Sequence, residues 1–290
     1  MKLPADAAEE AIFFLAGSLP LAGLLHLRCL SLFNMICHLK DNVLNKIAKL
    51  TLLMAQPSNK SWFTTVRDIC CQYGIQHPLQ LLECPMPSIK FKALCKEKVH
   101  EYWHRKLASN SSMFSSLRFL QPDFLTLLRP HPIWSTLDGN PYQTKAAAIQ
   151  ALFLTGRYRT ERLCRFWSKN KDGFCLLDSC LNLKKLETLE HVLLQCESLI
   201  DERRRLLEFM KDFCSDKPVI KNLVDLLFHN ENNDFLRMQF LVDCSVLPAV
   251  IQAAQVFGNK ILESCFALTR SWCRSLHKAR MKKMGRFSSF

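Results

Sequence analysis

Apolar positions recur at intervals of three and four residues along most of the chain, while the strict alternation of a half-buried strand is scarce. With 8 glycines in 290 residues there is little to interrupt helices, so the pattern predicts a mostly α protein, an irregular helical array. Residues 24–53 read as one or two helices broken near 39–42, where Asp41 is placed to cap the second. Ser61 is placed to cap a helix that runs to Tyr73 and stops at Gly74. His77-Pro78 and the Pro85-Met86-Pro87 run bracket a short helical piece, and a Lys-rich helix follows over 88–108. "RPHPIW", residues 129–134, is expected to be extended, because each proline fixes its own φ and biases its predecessor away from helix. A boundary at about 135 then divides a helical region, 1–135, from a second one, 136–290. Pro141 opens a helix through 153, and further helices are predicted over 188–213, 219–229, 234–242, 248–257 and 259–283.

The densest chemistry lies in "FCLLDSCLNLKKLETLEHVLLQC", residues 174–196. Its pattern is Cys175-x4-Cys180-x10-His191-x4-Cys196. Zinc takes four Cys or His ligands in a tetrahedron, usually as two local pairs joined by a longer spacer, and these spacings allow it. His191 and Cys196 are five residues apart, which separates them by about 140° on a continuous α-helix. They share a metal only if the helix ends or tightens between Leu194 and Cys196. The competing reading makes Leu189, Val192, Leu193, Cys196, Leu199 and Ile200 a core stripe with His191 at its margin.

Charge adds a second feature. The chain holds 39 Lys+Arg against 26 Asp+Glu, a net +13, which favours a polyanionic partner such as nucleic acid over a solvated surface only once the charge is seen to cluster. Two clusters qualify. "GRYRTERLCRFWSKNK", residues 156–171, has six basic residues and one acid. If helical, it puts Arg162 and Arg165 on a face with Tyr158, beside an apolar face of Leu163, Phe166 and Trp167 that reads as core. The last helix carries Arg270, Arg274 and Lys278 at i, i+4 and i+8, and residues 270–286 hold seven Lys/Arg and no acid. Arg157, Arg159, Arg162 and Arg165 are the expected phosphate contacts, followed by Arg274 and Lys278.

Fourteen cysteines, scattered and often inside apolar runs, read as free thiols of a reducing compartment, nucleus or cytoplasm. "AIFFLAGSLPLAGLL", residues 11–25, resembles a signal-peptide core. Acidic residues precede it, Gly17, Ser18 and Pro20 interrupt it, and it falls short of a bilayer span, so no membrane association is expected. Gly-rich nucleotide loops, a P-loop, a G-x-S-x-G elbow and paired aspartates for two metals are all missing, which argues against an enzyme acting alone.

The run "LTGRYRTERLCRFW…FCLLDSC…ETLEHVLLQC…ERRRLL" resembles the zinc-binding region that follows the polymerase in non-LTR retrotransposon reverse transcriptases. In that family an Arg-containing "LTG" segment precedes two cysteines, then "ET-EH" and a final cysteine. "LLHLRCLSLFNMI", "SWFTTVRDICCQYG", "RPHPIW" and "LHKARMKKMGRF" are also similar to such elements, so the likeness covers most of the chain. The resemblance implies structural Zn2+ on Cys175, Cys180, His191 and Cys196, a small CCHC unit within the helical array, and binding to template RNA or target DNA. It implies no catalysis without an upstream polymerase, and a polymerase-bearing polypeptide as a partner. Two other classes compete: a helical protein-interaction scaffold whose basic faces meet acidic proteins and whose cysteines are core, and a metal-dependent nuclease.

Overall fold

The computed structural model describes residues 7–39, 42–54, 60–168, 172–229 and 233–285. Among them it is mostly helical, and one isolated antiparallel bridge pairs Phe174 with Leu186. The chain forms two compact units, one of residues 1–16, 111–125 and 130–290, the other of 17–110 and 126–129. The expected division at 135 is therefore displaced. Helix α1 (Glu9–Ala16) belongs with the C-terminal half, where Leu15 O accepts from the His131 N–H at 3.1 Å. Residues 111–125 join the same unit, Phe119 O accepting from Gln239 Nε2 at 3.0 Å.

The smaller unit holds α2 (Leu21–His38), α3 (Val43–Leu53), α4 (Trp62–Tyr73), α5 (Pro78–Glu83) and α6 (Ser88–Ser111). Its helix ends follow the sequence closely. Ser61 and Thr64 form a capping box at the start of α4, and Gly74 ends it in the left-handed region at φ +63°. The break between α2 and α3 falls where expected, but Asn42 caps α3 by accepting the Leu44 N–H. Asp41 lies outside the described residues. Gly23 lets α2 meet α6, since a Cβ there would stand 2.7 Å from Trp103 Nε1. That indole N–H donates to the Tyr73 hydroxyl, which also bonds His26 Nδ1 at 2.7 Å. Helix α2 is long and apolar enough to cross a bilayer by length and composition alone, with mean hydropathy 1.3. Leu21, Leu25, Leu32 and Met35 on it, and Val43, Leu50 and Leu53 on α3, are exposed.

The larger unit continues with α7 (Pro132–Ser135), α8 (Pro141–Leu154), α9 (Glu161–Trp167), α10 (Asp178–Leu181), α11 (Ile200–Phe213), α12 (Pro218–His229), α13 (Asp234–Val242), α14 (Pro248–Phe257) and α15 (Asn259–Lys283). Helix α15 is its axis. It packs on α8, α11, α13 and α14 and buries Phe266, Leu268, Trp272, Cys273 and Leu276. Several polar groups in this core are paired: Gln150 Nε2 donates to Leu241 O and Thr269 Oγ1, both at 2.9 Å, and His131 meets Asp243 at 3.2 Å. Two expectations are corrected here. "RPHPIW" is not extended throughout, because Pro132 needs no N–H partner at a first helical position and starts α7 with His131 as its cap. The helix expected over 188–213 is interrupted between His191 and Leu199.

Candidate metal centre

The interruption builds the site. Gly173, at φ +79°, lets the chain turn against α9; a Cβ there would lie 3.2 Å from Arg162 Cα. The Phe174–Leu186 bridge follows, with the Cys175 N–H on Lys185 O (2.8 Å) and the Glu187 N–H on Gly173 O (3.0 Å). Between these strand-like ends, α10 carries Cys180 and a turn through Lys184 at φ +47° returns the chain. Thr188 then caps the next turn, its Oγ1 accepting the His191 N–H at 3.1 Å. Residues His191–Gln195 form a π-turn, closed by the Cys196 N–H on His191 O at 2.6 Å. A π-turn spans one residue more than an α-turn, so it brings position i+5 back over position i. Cys196 is extended, at φ −61° and ψ 116°, and a short 3₁₀ turn, Glu197–Leu199, leads into α11. The break that the spacing demanded between Leu194 and Cys196 is present.

The result is a buried Cys3His cluster able to hold a metal ion. Cys175, Cys180, His191 and Cys196 are all buried, with ligand atoms within 4.8 Å of one another. Cys196 Sγ stands 4.0 Å from Cys175 Sγ and 3.6 Å from Cys180 Sγ. Those separations are far beyond the roughly 2.05 Å of a disulfide. They bracket the roughly 3.8 Å edge of a tetrahedron with metal–sulfur bonds of about 2.3 Å. The three cysteines are free thiols. His191 Nε2 is buried without a hydrogen-bond partner, a costly state that a metal bond would relieve. The adjacent Cys196 thiol, followed by burial, pushes the Cys175 thiol well above its ordinary range. Thiol ligands bind a metal as thiolates, so metal binding at such a site releases protons. Arg203, in the first turns of α11, feels the Cys196 and Cys180 sulfurs and carries a buried Nη1 without a partner.

A buried ion pair fastens this knot to α15. Glu187, fully buried, accepts from Arg280 Nε and Nη2 at 2.8 Å each, and from the Glu161 N–H that opens α9. The fork satisfies both carboxylate oxygens, the condition under which a buried pair holds together. Burial acts against the Arg280 charge, but the bond to Glu187 outweighs it and raises the pKa. Tyr158 lies under the Arg280 guanidinium (5.5 Å to the ring centroid), stacks on Phe153 and shares a hydrogen bond with His277 Nδ1 at 3.1 Å. Trp272 Nε1 donates to Leu193 O within the π-turn at 3.3 Å. Gly156 of "LTG", at φ +65°, lets the chain pass close to Ser116: a Cβ would stand 2.5 Å from Ser116 O. Sequence reasoning missed Glu187, Arg280 and Trp272; only the place of Glu187 in "ETLEH" pointed at any of them.

The predicted phosphate contacts are less gathered. Arg159, Arg162 and Arg165 are exposed and Arg157 is half-buried. Arg118, which the sequence did not single out, lies close enough to Arg162 to be lowered by it after burial, and pairs with Glu190. Arg274 is half-buried above the Tyr142 ring and Lys278 is exposed; both line a cleft to which none of the four earlier arginines contributes. Three readings of these segments are corrected. Tyr158 is buried and is not on a face with Arg162 and Arg165, because α9 starts after it. Phe166 is 78% exposed, not core, because α9 is too short to lay both apolar edges on the unit. Arg270 and Arg280 face inward from the basic C-terminal run. Lys169, Lys171 and Arg286 lie outside the described residues. No protein family, curated protein or solved structure matches the chain.

Proposed function

We propose that the chain is a non-catalytic, zinc-stabilised nucleic-acid-binding module, intracellular, of the kind that follows the polymerase in non-LTR retrotransposon reverse transcriptases. The observation that carries the reading is the converged, buried Cys175–Cys180–His191–Cys196 set with an unpartnered imidazole nitrogen. Three sulfurs and one nitrogen at tetrahedral spacing suit zinc, which has no redox chemistry and prefers four such ligands. A closed set of four protein ligands leaves no position for a reacting water, so the role is structural. When bound, the ion supplies a cross-link between the hairpin at Cys175, the turn at Cys180 and the π-turn.

The protein's own residues do the rest. Gly173 and the Glu161–Glu187 bond hold α9 against the knot, which orders Arg162 and Arg165 on an exposed surface beside Arg118. Guanidinium forks on such a surface suit the phosphates of RNA or target DNA. The test is binding of the zinc-loaded chain to labelled single-stranded RNA and duplex DNA at 50 and 200 mM salt. Four phosphate contacts on duplex predict a loss of about 100-fold in affinity between them. No binding, or binding indifferent to salt, rejects the reading. A second reading, a protein-interaction module, is favoured by the exposed leucines of α2 and α3. It predicts salt-indifferent capture of a partner polypeptide that Leu25→Glu and Leu32→Glu together abolish.

A further inference from the structure

Helices α8 and α15 leave between them a cleft of about 230 Å³, lined by Tyr142, Gln143, Arg270, Ser271, Arg274 and Lys278 among others. Three of its residues are cations and none is an acid. Arg270, Arg274 and Lys278 recur at i, i+4 and i+8, so they form one row along α15. Arg270 is only 2% exposed. Its Nε donates to Phe266 O (3.0 Å) and its Nη2 to Thr136 O (3.3 Å), both uncharged acceptors. Its Nη1 is buried with no hydrogen-bond partner, and it joins no ion pair among the described residues. Asp138 is near enough to favour the charge, yet its carboxylate is turned to the Asn140 N–H and Gln143 Nε2.

A buried guanidinium with neutral acceptors alone is a costly arrangement, because its charge has lost water and gained no counter-ion. The Glu187–Arg280 pair, on the same helix, shows how the fold handles a buried arginine that needs no ligand. At Arg270 no carboxylate pairs with the guanidinium among the described residues, and the residue lines a cleft that also holds two more cations and two serine hydroxyls. Arg274 leaves its charge on the face of Tyr142, 5.0 Å from the ring centroid, and joins no ion pair among the described residues. The volume is below the roughly 300 Å³ at which pockets for drug-sized ligands begin, and suits one phosphate with part of its sugar.

We propose that this cleft is a phosphate site: Arg270 forms its floor, Arg274 and Lys278 its charged wall, and Ser271 and Ser275 donate hydroxyls to the remaining oxygens. It rests on the nucleic-acid reading for its natural ligand, a single backbone phosphate, with the exposed Tyr142 ring at the mouth. The probe is inorganic phosphate. Thermal unfolding of the full, metal-loaded chain is followed as phosphate replaces chloride at constant ionic strength. The midpoint rises with phosphate in the parent. In Arg274→Ala/Lys278→Ala, whose side chains are not core, the midpoint in chloride matches the parent and the phosphate response is lost. The same variant binds oligonucleotide about tenfold more weakly at 50 mM salt, with a salt slope lower by about two. A flat phosphate response in the parent overturns the site even if oligonucleotide binds normally, as does an equal response in parent and variant. A phosphate response confined to the parent, with no oligonucleotide binding to either, keeps the site and overturns the nucleic-acid reading instead.

Discussion

Residues 173–200 and helix α15 both bury cysteine, and they use it in opposite ways. On α15, Cys265 and Cys273 are enclosed by helix packing, and burial alone pushes the Cys273 thiol far above its ordinary range. Cys273 Sγ has a carbonyl, Leu241 O, at 3.5 Å and acts as a small hydrophobe with a weak donor. In the knot, three sulfurs face one another around a histidine nitrogen that has no other partner. The backbone there is a bridge, a one-turn helix, a π-turn and a 3₁₀ turn, elements too short to hold themselves by helical hydrogen bonding. A long helix can be stabilised by the apolar face it buries; a 28-residue knot of turns needs a cross-link. Burial marks both sets of thiols, and convergence separates them.

Removing one ligand is the severest way to break that contrast. Cys180→Ser, or chelation of the parent, is expected to release the metal and unfold the knot, with a loss of several kcal/mol in stability. Circular dichroism should retain most of the helix, because α15 and its neighbours keep their core. Retention of both metal and stability would place Cys180 among the core thiols.

Glu187→Gln comes next. It leaves Arg280 charged and buried without its carboxylate, at a cost of about 3–5 kcal/mol. Metal stoichiometry should stay at that of the parent, since no ligand is touched. A cost under about 1 kcal/mol would mean that the knot and α15 are joined mainly by packing.

The third test uses pH. Burial, then the Arg280 charge, depresses His277 from its ordinary value to about 4. In the unfolded chain this ring takes up its proton near pH 6.5, so between about 6.5 and 4 the unfolded state binds more protons than the native one. Stability present above pH 6.5 is lost as pH falls through that window, by at most about 3 kcal/mol. His277→Gln should flatten the parent's slope there by up to one proton, leaving the acid release of metal common to both. Parallel slopes in the two proteins would show that His277 is not held neutral. The mildest expected effect is Cys273→Ala, about 1–2 kcal/mol for a small buried group, with unchanged metal content.

Much of this was legible in the chain because it is local. Ser61 and Gly74 bound α4, Pro141 and Pro248 open α8 and α14, and spacing allows the four candidate ligands to converge only if the helix breaks before Cys196. What lies far apart in sequence was not. Glu187 and Arg280 are 93 residues apart, and a basic run gives no sign of which arginine turns inward. Arg270 and Arg280 looked like surface for that reason. Phe166 looked like core because period alone cannot say that a helix will end after seven residues. The displaced division near 135 has the same origin: Leu15 meets His131, and Phe119 meets Gln239, through tertiary pairing that no local signal encodes.

X-ray absorption at the zinc edge of the purified chain, beside direct metal analysis, tests the central claim most directly. The account predicts one zinc per chain and a first shell of three sulfurs at about 2.3 Å with one nitrogen at about 2.0 Å. A shell of nitrogen and oxygen alone, or a chain that takes up no zinc while remaining folded, would contradict it.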